Sequence, residues 1–205
     1  MIYRNNTRRF IVPALLLALV LFGNLPFTSS ASAPPAAPLL PQPGSVVAWG
    51  ANFAGQLNVP AGLDDAVAIS AGADFSLALK SDGTVVGWGE NGFGQATPPA
   101  GLTTVVAIAS GGFHSLALKS DGTVVGWGRN DLGQATPPAG LTGVTAIAAG
   151  FEHSLALKTD GTVVGWGLND VGQATPPAGL NSVVAIDAEG FSSLALKTVP
   201  PRSVA

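Results

Sequence analysis

Apolar and polar positions along the chain fall into three short words that return in a fixed order. At residues 104–127 they read TVVAIA (104–109), SLALK (115–119) and TVVGW (123–127). Runs of five or six residues rich in Val, Ile, Thr and aromatics predict strands. SLALK alternates, which puts Leu116 and Leu118 on one face. Asp121-Gly122 stands between the second and third words and predicts a two-residue hairpin turn; Asp82-Gly83 and Asp160-Gly161 repeat it. A short glycine-containing loop, residues 110–114, joins the first two words. After Trp127 the chain reads GRNDLGQATPPAGL, and Pro137-Pro138 cannot donate to a central ladder. Each unit therefore reads as a three-stranded antiparallel meander with an irregular return.

Trp49, Trp88, Trp127 and Trp166 mark the repeat, 39 residues apart. A fixed period of this size indicates a repeat architecture. Three short strands shelter neither face alone. Ala107, Ala109, Ala117 and Gly126 are small, so neighbouring sheets can approach closely. Radial stacking of such sheets is a β-propeller, usually of 4–8 blades. A linear β-solenoid is the competing architecture, but its parallel repeats do not fit the Asp-Gly hairpins. The predicted fold class is thus all-β, a propeller or open propeller arc of about four three-stranded blades. Residues 46–50 (VVAWG) read as a lone third-type strand, and residues 183–197 supply first-type and second-type strands without a third. Together they make one shared blade. A closed four-bladed ring, an arc and a fragment of a larger ring all remain compatible with that count.

Charge narrows the function. Only 10% of residues are charged, against 47% apolar, so much of the chain must be buried on both faces. Three of the nine basic residues, Arg4, Arg8 and Arg9, open the chain, which leaves six against twelve acids in the remainder. That balance argues against nucleic-acid binding, which needs clustered Lys and Arg. With no cysteine, disulfides, thiolate metal sites and a Cys nucleophile are excluded.

Residues 1–31 have the order of a secretory signal peptide. A basic start precedes an apolar run at 10–22 and small residues up to Ala31. The run is shorter than the ~20 residues of a membrane-spanning helix, so no stable span is expected after cleavage. Residues 32–44 read as a proline-rich linker, 45–198 as the repeat domain and 199–205 as a tail.

The strand order places two loops of every unit on one rim: the loop before SLALK and the loop after Trp-Gly. The first carries Asp74, Phe75, Phe113, His114, Phe151, Glu152 and Phe191. The second carries Phe53, Phe93, Leu132 and Val171. Aromatics gathered on one rim suit a protein-binding surface. Packing between blades is the competing reading for each Phe. The four Trp, strictly periodic at strand ends, read as blade packing. His114 and His153 read as buried and bonded to backbone, and two His without Cys make no zinc site. Asn52, Asn91, Asn130 and Asn169 follow Trp-Gly and shape a turn. One aspartate per hairpin is too few for calcium. The serines at strand starts have no partnered base, so no catalytic residue is assigned. No metal and no cofactor are expected.

The words WGENGFGQ, AIASGGFHSLALKSDG and TVVGWG resemble the repeat of the regulator of chromosome condensation family, over about residues 45–197. They are more similar still to bacterial secreted short-repeat propellers such as the propeller-type β-lactamase inhibitor proteins. The resemblance implies a β-propeller. Its eukaryotic members are nucleotide exchange factors for a nuclear GTPase and bind chromatin. Its secreted members bind an enzyme through aromatic loop residues, which implies contact roles for Phe75, Phe93, Phe113, Phe151 and Phe191. The expected function is non-enzymatic binding of an extracellular or cell-surface protein. A carbohydrate or surface polymer and a secreted enzyme such as a β-lactamase are the alternative targets, and a homo-oligomer could complete the ring.

Overall fold

A computed structural model describes residues 42–199. The expected signal segment, most of the proline-rich linker and most of the tail lie outside the described residues. The repeat words form eleven strands: β1 (Ala66–Ala71), β2 (Phe75–Lys80), β3 (Val85–Gly89), β4 (Val105–Ser110), β5 (His114–Lys119), β6 (Val124–Gly128), β7 (Val144–Ala149), β8 (His153–Lys158), β9 (Val163–Gly167), β10 (Val183–Glu189) and β11 (Ser192–Lys197). They pair as three-stranded sheets β1-β2-β3, β4-β5-β6 and β7-β8-β9, and a two-stranded sheet β10-β11. Every pairing is antiparallel. These are propeller-type blades, and each strand starts or ends within a residue of its word.

The hairpin differs from its expected form. Lys80 N–H donates to Thr84 O (2.9 Å) and Gly83 N–H to Lys80 O (3.0 Å), so three residues, not two, make the loop. Only the glycine has positive φ (Gly83 79°, Gly122 79°, Gly161 76°). A two-residue type I′ turn needs positive φ at both central residues, and the aspartate escapes that strain by joining an ordinary turn. Its carboxylate then caps the loop: Asp121 Oδ1 accepts from Thr123 N–H (3.0 Å) and Thr123 Oγ1–H (2.6 Å). These bonds and Lys119 hold Asp121 down at about 2.

The core lies between blades. Ala117 and Trp127 of the second blade pack with Phe75, Leu77 and Leu79 of the first. Leu116 and Leu118 pack with Val144, Ala156 and Trp166 of the third. The middle strand thus buries both faces, one toward each neighbour. Burying a Leu side chain stabilises by roughly 1.5–3 kcal/mol, so each blade depends on the next for most of its apolar gain.

A hydrogen-bonded thread reinforces this. The Gln95 carbonyl accepts from Trp127 Nε1–H (2.9 Å) and Ser115 Oγ–H (2.8 Å) of the second blade. Gln56 does the same for Trp88 and Ser76, and Gln134 for Trp166 and Ser154. The periodic Trp therefore anchors each third strand to the loop that arrives from the preceding blade.

Residues 46–50 do not form the expected strand. Gly44 bridges Ala66 and Val46 packs against Leu63, Ala66, Ala78 and Trp88. These residues therefore take the place of a preceding blade's third strand. Among the described residues no second-type strand lies beside them, and a strand without a hydrogen-bonded neighbour is not a strand. The shared blade is not assembled, and the blades form an open arc.

Candidate protein-binding rim

Two loop types build one rim, as the strand order predicts. The loop after each third strand is shaped by its own polar side chains. Asn91 Oδ1 accepts from Ala96 N–H (2.9 Å) and Asn91 Nδ2–H donates to Thr97 Oγ1 (2.8 Å). Gln95 Oε1 accepts from Phe93 N–H (2.9 Å). The same bonds recur around Leu132 and Val171. The Asn and Gln hold the backbone so that the residue between them, Phe93, Leu132 or Val171, points outward, and all three are exposed.

The loops before β5, β8 and β11 interlock through backbone. Gly112 N–H donates to Phe151 O (3.1 Å), and Phe151 N–H donates to Gly190 O (2.7 Å). Gly112 leaves room for the Phe151 ring: a Cβ there would stand 2.7 Å from Cδ2. Four phenylalanines from successive units then meet in a row. Centroids are 5.7 Å apart for Phe93 and Phe113, 5.4 Å for Phe113 and Phe151, and 5.9 Å for Phe151 and Phe191. The first two pairs are edge-to-face, the arrangement favoured by ring quadrupoles. Phe93 and Phe191, at the two ends, are more than half exposed, while Phe113 and Phe151 are half-buried between them.

Charge completes the row. The Arg129 guanidinium lies 5.7 Å from the Phe93 centroid and 6.0 Å from that of Phe113, within cation–π range. It pairs with Glu152 (2.5 Å) and Asp131 (2.6 Å). Asp131 is held below the usual carboxylate range, chiefly by its hydrogen bond to Arg129. Arg129 was not among the residues expected here. Its signal was present, as the single Arg of the repeat domain, in the loop that follows Trp127.

Two positions expected on the rim lie in the interior. Phe75 is buried in the core of the first and second blades, and its ring fills the space beside Gly72. His114 is buried as well. Both open a middle strand, one residue beyond the loop tip, where the side chain turns inward between sheets. Asp74 accepts from Gln56 Nε2–H (3.1 Å) and Phe53 is exposed outside the phenylalanine row.

The buried His–Ser pairs are wired against nucleophilic chemistry. His114 Nε2 lies 2.8 Å from Ser154 Oγ, and that hydroxyl donates to Gln134 O. The ring nitrogen must therefore carry the proton and donate, so it has no lone pair to act as base. Burial and the neighbouring His153 push His114 down to about 4. Among the described residues no group of three or more His, Asp or Glu gathers to hold a metal.

Residues 66–95, 105–134 and 144–173 match the regulator of chromosome condensation (RCC1) repeat. The chain carries three RCC1 repeats. Each match begins at the first residue of a first-type strand and ends on a Gln, and in the first two that Gln's carbonyl holds the next blade's Trp. The matched units are 30 residues long and start 39 residues apart, at 66, 105 and 144. No curated protein matches. Among solved structures, Prp20p from Saccharomyces cerevisiae aligns at 20% identity and TM-score 0.61, over 72% of this chain and 50% of that one. The ectodomain of the Physcomitrella patens receptor kinase CR4 aligns at 29% identity and TM-score 0.59, over 73% and 42%. Yeast RCC1 (Prp20) bound to Kap60 aligns at 26% identity and TM-score 0.53, over 64% and 41%. The chain spans about half the length, or less, of these RCC1-type and receptor structures.

Proposed function

We propose that the RCC1-repeat domain is a secreted, non-enzymatic module that binds an extracellular or cell-surface protein through the rim bearing Phe93, Phe113, Phe151 and Phe191. The observation that carries this reading is the unbroken row of four rings flanked by Arg129, with ends open to solvent. Aromatic and arginine side chains dominate interface hot spots. The row is held by backbone bonds between blades, so little conformational freedom is lost on binding. Similar structures bind proteins: Prp20p binds Gsp1p and histones, and yeast RCC1 is bound by Kap60. The basic, apolar and small-residue order of residues 1–31 supports export, which separates this chain from nuclear partners. Leu132, Val171, Glu152 and Asp74 extend the surface beside the row, and Phe53 adds a separate exposed aromatic. Inhibition of a secreted enzyme such as a β-lactamase is a narrower form of the same reading.

The test is capture from extracellular and periplasmic protein fractions with wild-type protein and with a Phe93→Ala, Phe113→Ala, Phe151→Ala triple variant. Binding specific to wild type supports the rim. Equal capture by a folded triple variant contradicts it. Binding to a glycan array that depends on the same rings would move the target from protein to carbohydrate.

A further inference from the structure

The two ends of the arc are complementary halves of one blade. At one end, residues 46–50 spell a third-type strand and sit where such a strand belongs. Ala66 N–H donates to Gly44 O (3.1 Å), as Val105 N–H does to Gly83 O (3.1 Å) between the first and second blades. Among the described residues no second-type strand lies on its other side. Trp49 is consequently 74% exposed, whereas Trp88, Trp127 and Trp166 are each 8%. Among the described residues its indole N–H has no acceptor.

At the other end, β10-β11 is two-stranded among the described residues. Leu194 and Leu196 are 69% and 61% exposed, whereas their counterparts Leu116, Leu118, Leu155 and Leu157 are buried. The Gln173 carbonyl accepts from Ser193 Oγ–H (2.7 Å), but the Trp that completes this motif in the other blades is missing. A groove of about 440 Å³ lies beside Gln173, Ser193, Leu194 and Leu155, where an indole would sit. Residues 198–205 (TVPPRSVA) contain neither the Asp-Gly turn nor the VVGWG word.

We propose that residues 46–50 of a second copy of this chain add to the open edge of β11, completing the fourth blade across the joint. The register follows from the intact blades. Ser76 pairs with Trp88, Leu77 with Gly87 and Leu79 with Val85, and the second and third blades repeat this. Ser193 therefore faces Trp49 of the other copy, Leu194 faces Ala48 and Leu196 faces Val46. The Trp49 indole N–H donates to the Gln173 carbonyl, and its ring fills the groove. Strand addition at a sheet edge supplies main-chain hydrogen bonds for affinity and alternate side-chain pockets for specificity. The joint is head-to-tail. Two copies related by a two-fold axis form two such joints and a ring of eight blades, within the usual 4–8. Phe191 and Val171 line this groove as well as the rim, whereas Phe93, Phe113 and Phe151 do not, so replacing those three tests the rim without touching the joint.

Sedimentation of the full, cysteine-free chain at micromolar concentration should give twice the chain mass, and Trp49→Asp should halve it. In-register cysteines test the joint itself. Opposed strand positions lie within the roughly 4.4–6.8 Å Cα range of a disulfide. Mixing Val46→Cys protein with Leu196→Cys protein under oxidation should yield a covalent pair, and mixing Val46→Cys with Ala195→Cys should not. Three results would each overturn the proposal: a wild-type mass of one chain, a mass of one chain plus a different polypeptide, or a disulfide that forms within single chains of the Val46→Cys/Leu196→Cys double variant.

Discussion

His114 reaches out of its own blade to Ser154 of the next, with Nε2 and Oγ 2.8 Å apart. The serine hydroxyl passes its proton to the Gln134 carbonyl, so the imidazole is the donor and must stay neutral on Nδ1. That Nδ1 is buried without a partner, so protonation would place an unpaired cation between sheets. His153 and Ser193 repeat the arrangement one blade on.

Stability should therefore depend on pH in one window. The folded pKa of His114, about 4, lies below the ordinary 6.5, and that of His153 is also lowered by burial. Between these values the unfolded chain binds more protons than the folded one, so stability rises with pH. It is complete above about pH 6.5 and is lost progressively down to about pH 4, by on the order of 3 kcal/mol for His114. Urea midpoints at pH 7.5, 5.5 and 4.5 should fall in that order. In His114→Gln the slope across this window should shrink. An unchanged slope would place the responsible groups elsewhere.

Close approach of backbone sets a second expectation. A Cβ on Gly126 would stand 2.3 Å from the Ala135 carbonyl oxygen, which is fixed backbone. Gly126→Ala should cost about 3 kcal/mol or more. Gly133 has φ 78° but nothing within 4 Å of its would-be Cβ. Gly133→Ala should cost only the left-handed strain, about 1 kcal/mol. Chemical denaturation of the two variants should separate them clearly, and equal losses would contradict the close contact between β6 and the loop that follows it.

Arg129 should matter to the rim more than to the fold. It spans Phe93, Phe113, Glu152 and Asp131 from a partly exposed position. Exposed ion pairs contribute little to stability. Arg129→Gln should leave the urea midpoint near wild type while altering the salt dependence of partner binding. A large drop in midpoint would make Arg129 a structural residue instead.

The phenylalanines should rank by their place in the row. Phe113 and Phe151 each touch two rings, whereas exposed Phe53 touches none of them. Replacing Phe113 or Phe151 with Ala should weaken a captured partner roughly tenfold or more, the scale of a hot spot. Phe53→Ala should change it less. Titration of the captured protein against each folded variant gives the order, and a dominant Phe53 would reverse it.

Strands and hairpins were legible because binary pattern and Asp-Gly chemistry agree in every unit. The common rim followed from strand direction alone. The depth of individual rim residues did not. Phe75 stands in the same repeat position as His114 and His153, one residue after Phe113, although its ring invites alignment with Phe113. In a strand one residue reverses the face, so Phe75 is core and Phe113 is rim. The Arg129 network was missed because it joins residues 23 positions apart through a contact between blades. Residues 46–50 read as a strand because their composition is right; whether they pair depends on a neighbour that no local pattern encodes.

Backbone hydrogen exchange with and without a captured partner tests the binding rim most directly. Protection should appear at residues 91–95, 111–113, 150–152 and 190–191, the loops that carry the phenylalanine row. Protection confined to the opposite rim, at the hairpins of Asp82, Asp121 and Asp160, would contradict it.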